Sequence, residues 1–388
     1  MKKSQSRRQF LDLSIKAGII VPALGASILS CKEKPTTDAT DSPAPLNVLI
    51  LGGTSFLGPH QIATLLGRGH KVSIFTRGKT KPKIHTDLFD QVEHLIGDRE
   101  NDLTALENRS WDVVIDNSGR KVEWTKKTAN LLKDTCGLYL YTSSTGVFYP
   151  YDDDQYTEED PIVLSMPEGL TEDEAYEQEY GVMKGNSELE TIKAFGADRS
   201  IIVRPTYMLG PGDKTNRFMH WFLSIERGGE VLLTGKENDA VQYIDIRDVA
   251  DWMVYLIEEK KAGTYNAVGP AESSNILSYA NQIKKALNSD ASFVQVDDYE
   301  FLKDHELYYV IPWILPEGKH EGSVQISNAK AKANGIKYRP FENSLMDTFE
   351  WWKSDLVDAD RRDKYEADPE ALHNRQAEIL KKWKAMEG

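Results

Sequence analysis

Two groups of residues in this chain have types and spacings suited to chemistry. Tyr180 and Lys184 stand four apart in Tyr180-Gly181-Val182-Met183-Lys184. On a helix that spacing puts a phenol and an ammonium on one face. The ammonium favours the phenolate, and the phenol can then exchange a proton with a substrate hydroxyl or carbonyl. The second group is the glycine-rich run Leu51-Gly52-Gly53-Thr54-Ser55-Phe56-Leu57-Gly58. It follows an apolar stretch, Asn47–Leu51, and opens a helical pattern at Pro59. In that setting a glycine-rich turn cradles a dinucleotide. Gly52 permits the tight turn, Gly58 lets the helix approach the strand, and the free N–H groups of the helix N-terminus face a pyrophosphate. The cofactor contacts are therefore expected from Gly52, Gly53, Thr54, Ser55, Phe56, Leu57 and Gly58.

Positioning these groups requires a layered scaffold. Continuous runs of β-branched residues and Leu, the mark of strands buried on both faces, occur at 47–51, 71–76, 92–96, 111–116, 138–142 and 200–203. Helical patterns at 59–68, 126–134 and 180–194 fall between them. That alternation predicts an α/β fold, a Rossmann-like doubly wound parallel sheet. Segments 211–241 and 271–354 lie outside the rhythm and read as a smaller substrate lobe. The expected organisation is a dinucleotide-binding domain over 46–270, with 211–241 contributed to the lobe, then the lobe proper over 271–354 and a charged tail over 355–388. An acidic, Pro-containing segment over 151–179 precedes the Tyr-x-x-x-Lys helix.

Together these motifs resemble the extended and atypical short-chain dehydrogenase/reductases of the NAD-dependent epimerase/dehydratase family. The glycine loop is similar to that family's Thr-Gly-x-x-Gly-x-x-Gly, with Leu51 in place of Thr and Ser55 in place of the middle Gly. Ser143-Ser144-Thr145-Gly146-Val147-Phe148 resembles the family's strand-five end, where a Ser or Thr hydrogen-bonds the reacting oxygen. Matching Val147-Phe148 to the family's Val-Tyr places that role on Ser144, ahead of Ser143. The resemblance thus implies a catalytic set of Ser144, Tyr180 and Lys184, with Tyr180 and Lys184 also touching the cofactor. It implies an adenine contact at Asp98 in Gly97-Asp98, and passage of the chain beside the dinucleotide at Ser118 in Asn117-Ser118-Gly119. Val203-Arg204-Pro205, Leu209-Gly210-Pro211-Gly212-Asp213 and Tyr243-Ile244-Asp245-Ile246-Arg247-Asp248 match further family stretches. Sugar-nucleotide epimerases carry an Arg just before the last of these, whereas this chain reads Asp239-Ala240-Val241-Gln242.

The second strand ends Phe75-Thr76-Arg77-Gly78-Lys79, with no acidic residue to accept from the ribose hydroxyls of NAD. Arg77 and Lys79 can pair with a 2′-phosphate instead, so the cofactor is NADP or NAD with a lean towards NADP. The net charge of −14, from 61 acidic and 47 basic residues, argues against a nucleic-acid partner. No metal site is expected, and the run Asp152-Asp153-Asp154 reads as a solvated loop.

Residues 1–31 read as an address rather than as fold. Lys2, Lys3, Arg7 and Arg8 precede an apolar run broken by Pro22 and too short to span a membrane. Ser6-Arg7-Arg8-Gln9-Phe10-Leu11 resembles the twin-arginine export signal, and Ile28-Leu29-Ser30-Cys31 a lipoprotein processing box. These imply an exported bacterial lipoprotein, periplasmic or anchored to a membrane by lipid on Cys31, with 32–45 as a flexible tether. The leading functional expectation is a redox-neutral epimerase, isomerase or dehydratase acting on a small carbohydrate-like substrate such as a sugar or glycoside. An NADP-dependent reductase and a non-catalytic dinucleotide-binding lipoprotein are the alternatives.

Overall fold

The computed structural model describes residues 44–387 apart from position 154. The segments expected to be an export leader and a tether, with Cys31, lie outside the described residues but for the last positions of the tether.

Seven parallel strands form the central sheet. They are β1 (Asn47–Leu51), β2 (Lys71–Thr76), β3 (Glu93–Ile96), β4 (Trp111–Asp116), β5 (Cys136–Thr142), β6 (Ser200–Pro205) and β7 (Gly263–Ala267). Their spatial order is β7-β6-β5-β4-β1-β2-β3, and the order reverses at β1. The crevice beyond the carboxyl ends of the strands at such a reversal is where ligands bind in open α/β sheets.

Alternation along each strand divides the core. Val48 and Ile50 join Ile74, Ile115 and Leu140 on one face, while Leu49 and Leu51 join Phe75, Val114, Tyr139 and Tyr141 on the other. Helices α1 (Leu57–Gly67) and α5 (Ile246–Glu258) cover the first face through Ile62, Leu65, Trp252 and Leu256. The second is covered by α2 (Val122–Leu132), through Ala129 and Leu132, and by α3 (Glu172–Phe195), through Ile192 and Phe195. With both faces covered, the inner strands are kept from water, which is why they read as apolar runs, while the edge strand β3 exposes Glu93, His94 and Ile96.

The helix carrying Tyr180 begins eight residues before that tyrosine. Thr171 and Glu174 form a reciprocal capping box, Thr171 N–H to Glu174 at 2.9 Å and Glu174 N–H to the Thr171 hydroxyl at 3.4 Å. The last part of the acidic 151–179 segment is therefore the first two turns of α3.

A second core lies outside the sheet. Helix α4 (Met219–Arg227), the parallel pair Glu230–Thr234 and Ser292–Val296, α6 (Ile276–Ala286) and α7 (Phe341–Lys353) gather around Trp221, Phe222, Tyr279, Trp313 and Trp352. The charged tail forms α8 (Ala359–Glu366) and α9 (Leu372–Glu387). Ile379, Leu380 and Trp383 of α9 are buried in this same core. The tail is thus packed structure whose exposed side carries the charge.

Candidate active site

A cleft of about 870 Å³ runs along the carboxyl ends of the strands, from Arg77 and Asp98 at one end to Tyr151, Tyr207 and Tyr309 at the other. Its floor is the glycine loop. Gly52 and Gly53 have φ near +105° and +104°, a region that favours glycine, and Gly52 N–H donates to the Phe75 carbonyl at 2.9 Å. A side chain at Gly58 would overlap the backbone of Gly53, so only glycine lets α1 start this close to β1. Thr54, Ser55, Phe56 and Leu57 line the cleft beside them.

Beneath the loop lies a charge pair that sequence reading missed. Arg99, one residue past the expected Asp98, is buried and grips Asp116 at the end of β4 with both guanidinium nitrogens, one at 2.7 Å. It also donates to Ser118 at 3.3 Å and to Thr128 at 2.6 Å, and the Tyr139 hydroxyl donates to Asp116 at 2.8 Å. Burial alone would raise the Asp116 carboxyl, but Arg99 overrides it and holds Asp116 below the ordinary aspartate range. This pair fixes the β3 and β4 ends, and with them Ser118. Asp98 itself closes a tight turn, its carboxylate accepting from Glu100 N–H at 2.9 Å, and faces the cleft. Arg77 and Lys79 are exposed on the rim after β2.

At the other end, Ser143 and Ser144 are separated by what their hydroxyls do. Ser143 donates to Glu188 at 2.5 Å, and Glu188 is held by Arg204 through two hydrogen bonds of 2.7 and 2.9 Å, all three residues being buried. Ser143 therefore ties β5, α3 and β6 together. The Ser144 hydroxyl accepts from Gly146 N–H at 3.1 Å and stays on the cleft.

Gly146 is the hinge of the arrangement. The space where its side chain would be is bounded by the Ser144 hydroxyl and the Tyr180 ring, at 3.4 and 3.3 Å. Gly181 rests against the Gly146 carbonyl and Gly185 against that of Val163, where an added carbon would lie 2.6 Å from the oxygen. Gly181 thus brings α3 onto the turn after β5, Gly185 one turn on seats it against the 162–164 segment, and Tyr180 and Ser144 flank Gly146. This signal was present within the Tyr-x-x-x-Lys motif itself, in Gly181, and just after it, in Gly185.

Tyr180 is 45% exposed within this cleft, accessible to a ligand, whereas Lys184 is only 7% exposed. The Lys184 ammonium donates to the Thr142 carbonyl at 2.8 Å and lies 5.1 Å from the Tyr141 ring centre and 5.9 Å from that of Tyr180. Burial opposes its charge, yet the Tyr141 and Tyr180 phenols and Asp116 hold its pKa above the ordinary lysine value. Lys184 is a fixed buried cation. The Thr142 hydroxyl continues the chain of contacts to Asn117 at 2.8 Å, and Asn117 to Gln61 of α1 at 2.6 Å. Aromatic contributors that went unread in the sequence include Tyr151 and Tyr207, together with Tyr176, one turn ahead of Tyr180, and Tyr309, which bonds His320 at 2.9 Å.

The model of the NAD dependent epimerase/dehydratase family matches residues 48–268, and the chain belongs to that family. Its cofactor is accordingly a nicotinamide dinucleotide. Solved structures with the same fold include the Bordetella bronchiseptica enzyme WbmH in complex with NAD+ (14% identity, TM-score 0.58, covering 81% of this chain and 100% of that one). Another is the dTDP-glucose 4,6-dehydratase DesIV of Streptomyces venezuelae with NAD and TYD bound (18% identity, TM-score 0.56, covering 80% and 97%). A relative in sequence is the chloroplast stem-loop binding protein of 41 kDa b of Arabidopsis thaliana, 27% identical over 229 residues. The match takes in 55% of this chain and spans about half of that relative, 56% of its length.

The glycine contacts give a test of the site's construction. Alanine is the better helix former by about 1 kcal/mol, yet Gly181→Ala must push α3 off the Gly146 carbonyl. The expected net effect is a loss of about 1–3 kcal/mol, read from guanidinium unfolding. A stability gain would show that the close approach does not position the helix.

Proposed function

We propose that the protein oxidises a secondary hydroxyl on a carbohydrate-like small molecule and returns the hydride within the same turnover, as an epimerase, isomerase or dehydratase. The observation that carries this reading is the buried Lys184 ammonium beside the accessible Tyr180 phenol, with Ser144 across Gly146, at the end of a cleft floored by the glycine loop. The residues fit a dinucleotide: the glycine turn and the N-terminus of α1 suit a pyrophosphate, and Ser118 and Asp98 line the path beside it. Bound nicotinamide supplies a hydride acceptor that can give the hydride back. This chain's own side chains manage the proton. The Tyr180 phenolate accepts the hydroxyl proton as the carbonyl forms and donates it when the hydroxyl is restored. Ser144 donates a hydrogen bond to the same oxygen, and Lys184 supplies a fixed positive charge that favours the phenolate.

The substrate class follows from the far end of the cleft. Tyr151, Tyr176, Tyr207 and Tyr309 line it, and aromatic walls suit the C–H faces of a sugar ring. The position before Tyr243, where the resemblance implies a phosphate-gripping Arg, holds Gln242. Its amide is spent on the Ile326 backbone, donating at 2.8 Å and accepting at 3.2 Å. Free sugars or glycosides therefore suit the cleft better than sugar nucleotides. The export leader supports a redox-neutral cycle, since outside the cytoplasm a spent cofactor would not be replaced. One observation favours the NADP-dependent reductase as second reading: Arg77 and Lys79 on the rim can pair with a 2′-phosphate.

Tyr180→Phe is expected to cut turnover about 100- to 10,000-fold while leaving dinucleotide affinity near wild type, measured by steady-state kinetics and fluorescence titration. Wild-type turnover in this variant would remove Tyr180 from the chemistry. Arg77→Ala should weaken NADP about tenfold, as loss of a charge-assisted hydrogen bond does, and leave NAD nearly unchanged. Equal losses for both would show that Arg77 does not read the 2′-phosphate.

A further inference from the structure

The loop between β6 and α4 crosses from the sheet to the second core, and three separate parts of the chain hold it. On the sheet side, the His60 ring of α1 lies 2.9 Å from the Pro211 carbonyl. Burial lowers the pKa of His60 to about 4, so the ring is neutral at pH 7, and Nε2 carries the proton because a carbonyl only accepts. At the dinucleotide turn, the exposed Lys214 ammonium donates to the Ser55 hydroxyl at 3.3 Å, across 159 residues of sequence. From the tail, Arg361 of α8 donates to the Asp213 carbonyl at 2.8 Å and to the Asn216 side chain. The Tyr365 hydroxyl of the same helix reaches the Asn216 carbonyl at 3.4 Å. Asp213, Thr215 and Arg217 of this loop line the cleft. The family model ends at residue 268, so the tail's share in this arrangement belongs to this chain beyond that span.

Ser55 stands where the family's usual loop has glycine. Its hydroxyl gives Lys214 an anchor on the dinucleotide turn that a glycine would not provide. That anchor puts a second-lobe cation at the N-terminus of α1, the end of the helix already suited to an anion.

Resting on the reading of the site as a nicotinamide-dinucleotide cleft, we infer that Lys214 is a cofactor-binding residue held over the dinucleotide turn, and that Arg361 is its positioning residue, so that the tail helix α8 retains the cofactor. Lys214 adds a positive charge beside the pyrophosphate site. Arg361 does not itself line the cleft, and acts by holding the Asp213 carbonyl and the Asn216 side chain on either side of Lys214. Without it the 213–217 loop keeps its anchors at His60, Ser55 and Tyr365 but loses these two bonds. A dinucleotide so clasped leaves slowly, as a cofactor carried from turnover to turnover requires.

The test is the rate of NADH release from the purified full-length protein, followed by stopped-flow fluorescence after mixing with excess NAD. Lys214→Ala and Arg361→Ala are each expected to raise the rate about tenfold, the scale of one lost charge-assisted hydrogen bond. Arg361→Lys should recover part of that loss, and the double variant should release NADH no faster than about the faster single variant, because both act through one loop. Lys214 is exposed, so its variant keeps the test decisive if Arg361→Ala fails to fold. Wild-type release in Lys214→Ala, or effects that multiply in the double variant, would overturn the inference while leaving the site intact. A wild-type protein that binds neither NADH nor NADPH would overturn the functional reading along with it.

Discussion

The contact of α3 with the end of β5 governs this active site. Gly181 lies on the Gly146 carbonyl, and any side chain at position 181 would overlap that oxygen. From this one approach follow the placing of Tyr180 and Ser144 on either side of Gly146 and the depth at which Lys184 is buried. It also lets Glu188, two turns beyond Gly181, reach Ser143 and Arg204. The helix that bears Tyr180 is thus registered by backbone against backbone, a contact with almost no freedom to relax.

The site's charges are arranged around the same strand ends. Arg99 with Asp116 and Arg204 with Glu188 are buried pairs at the tips of β4 and β6, on either side of β5. Burying such groups is costly unless each has a partner: Tyr139 donates to Asp116 and Ser143 to Glu188, and Arg99 donates to Thr128. Lys184 differs in forming no ion pair among the described residues: its ammonium donates to the Thr142 carbonyl and lies beside the rings of Tyr141 and Tyr180. In the proposed mechanism that buried charge is in place before a phenolate forms at Tyr180, which is electrostatic preorganisation.

Much of this was legible in the sequence because it rests on local pattern. The strands at 47–51, 71–76 and 111–116 were bounded as the structure has them, since runs buried on both faces end abruptly at polar or glycine residues. The glycine loop and the Tyr-x-x-x-Lys helix were readable for the same reason. What escaped depends on distant partners. Arg99 looks like a surface arginine beside Asp98 until Asp116 is brought under it. Ser143 and Ser144 are indistinguishable by type, and only Glu188 and Arg204 commit one of them. The start of α3 was hidden because Thr171 and Glu174 lie in an acidic stretch with little apolar periodicity. The tail's high charge masked the apolar stripe of Ile379, Leu380 and Trp383, which shows its purpose only against the second core.

In the proposed function the protein keeps its cofactor and moves a hydride out and back. The most direct test is turnover by the purified protein with no dinucleotide added, using a substrate from a panel of free sugars and glycosides deuterated at the reacting carbon. The account predicts many turnovers per protein, with deuterium retained in the product. A strict requirement for added NADPH, with one oxidised per product formed, would contradict it.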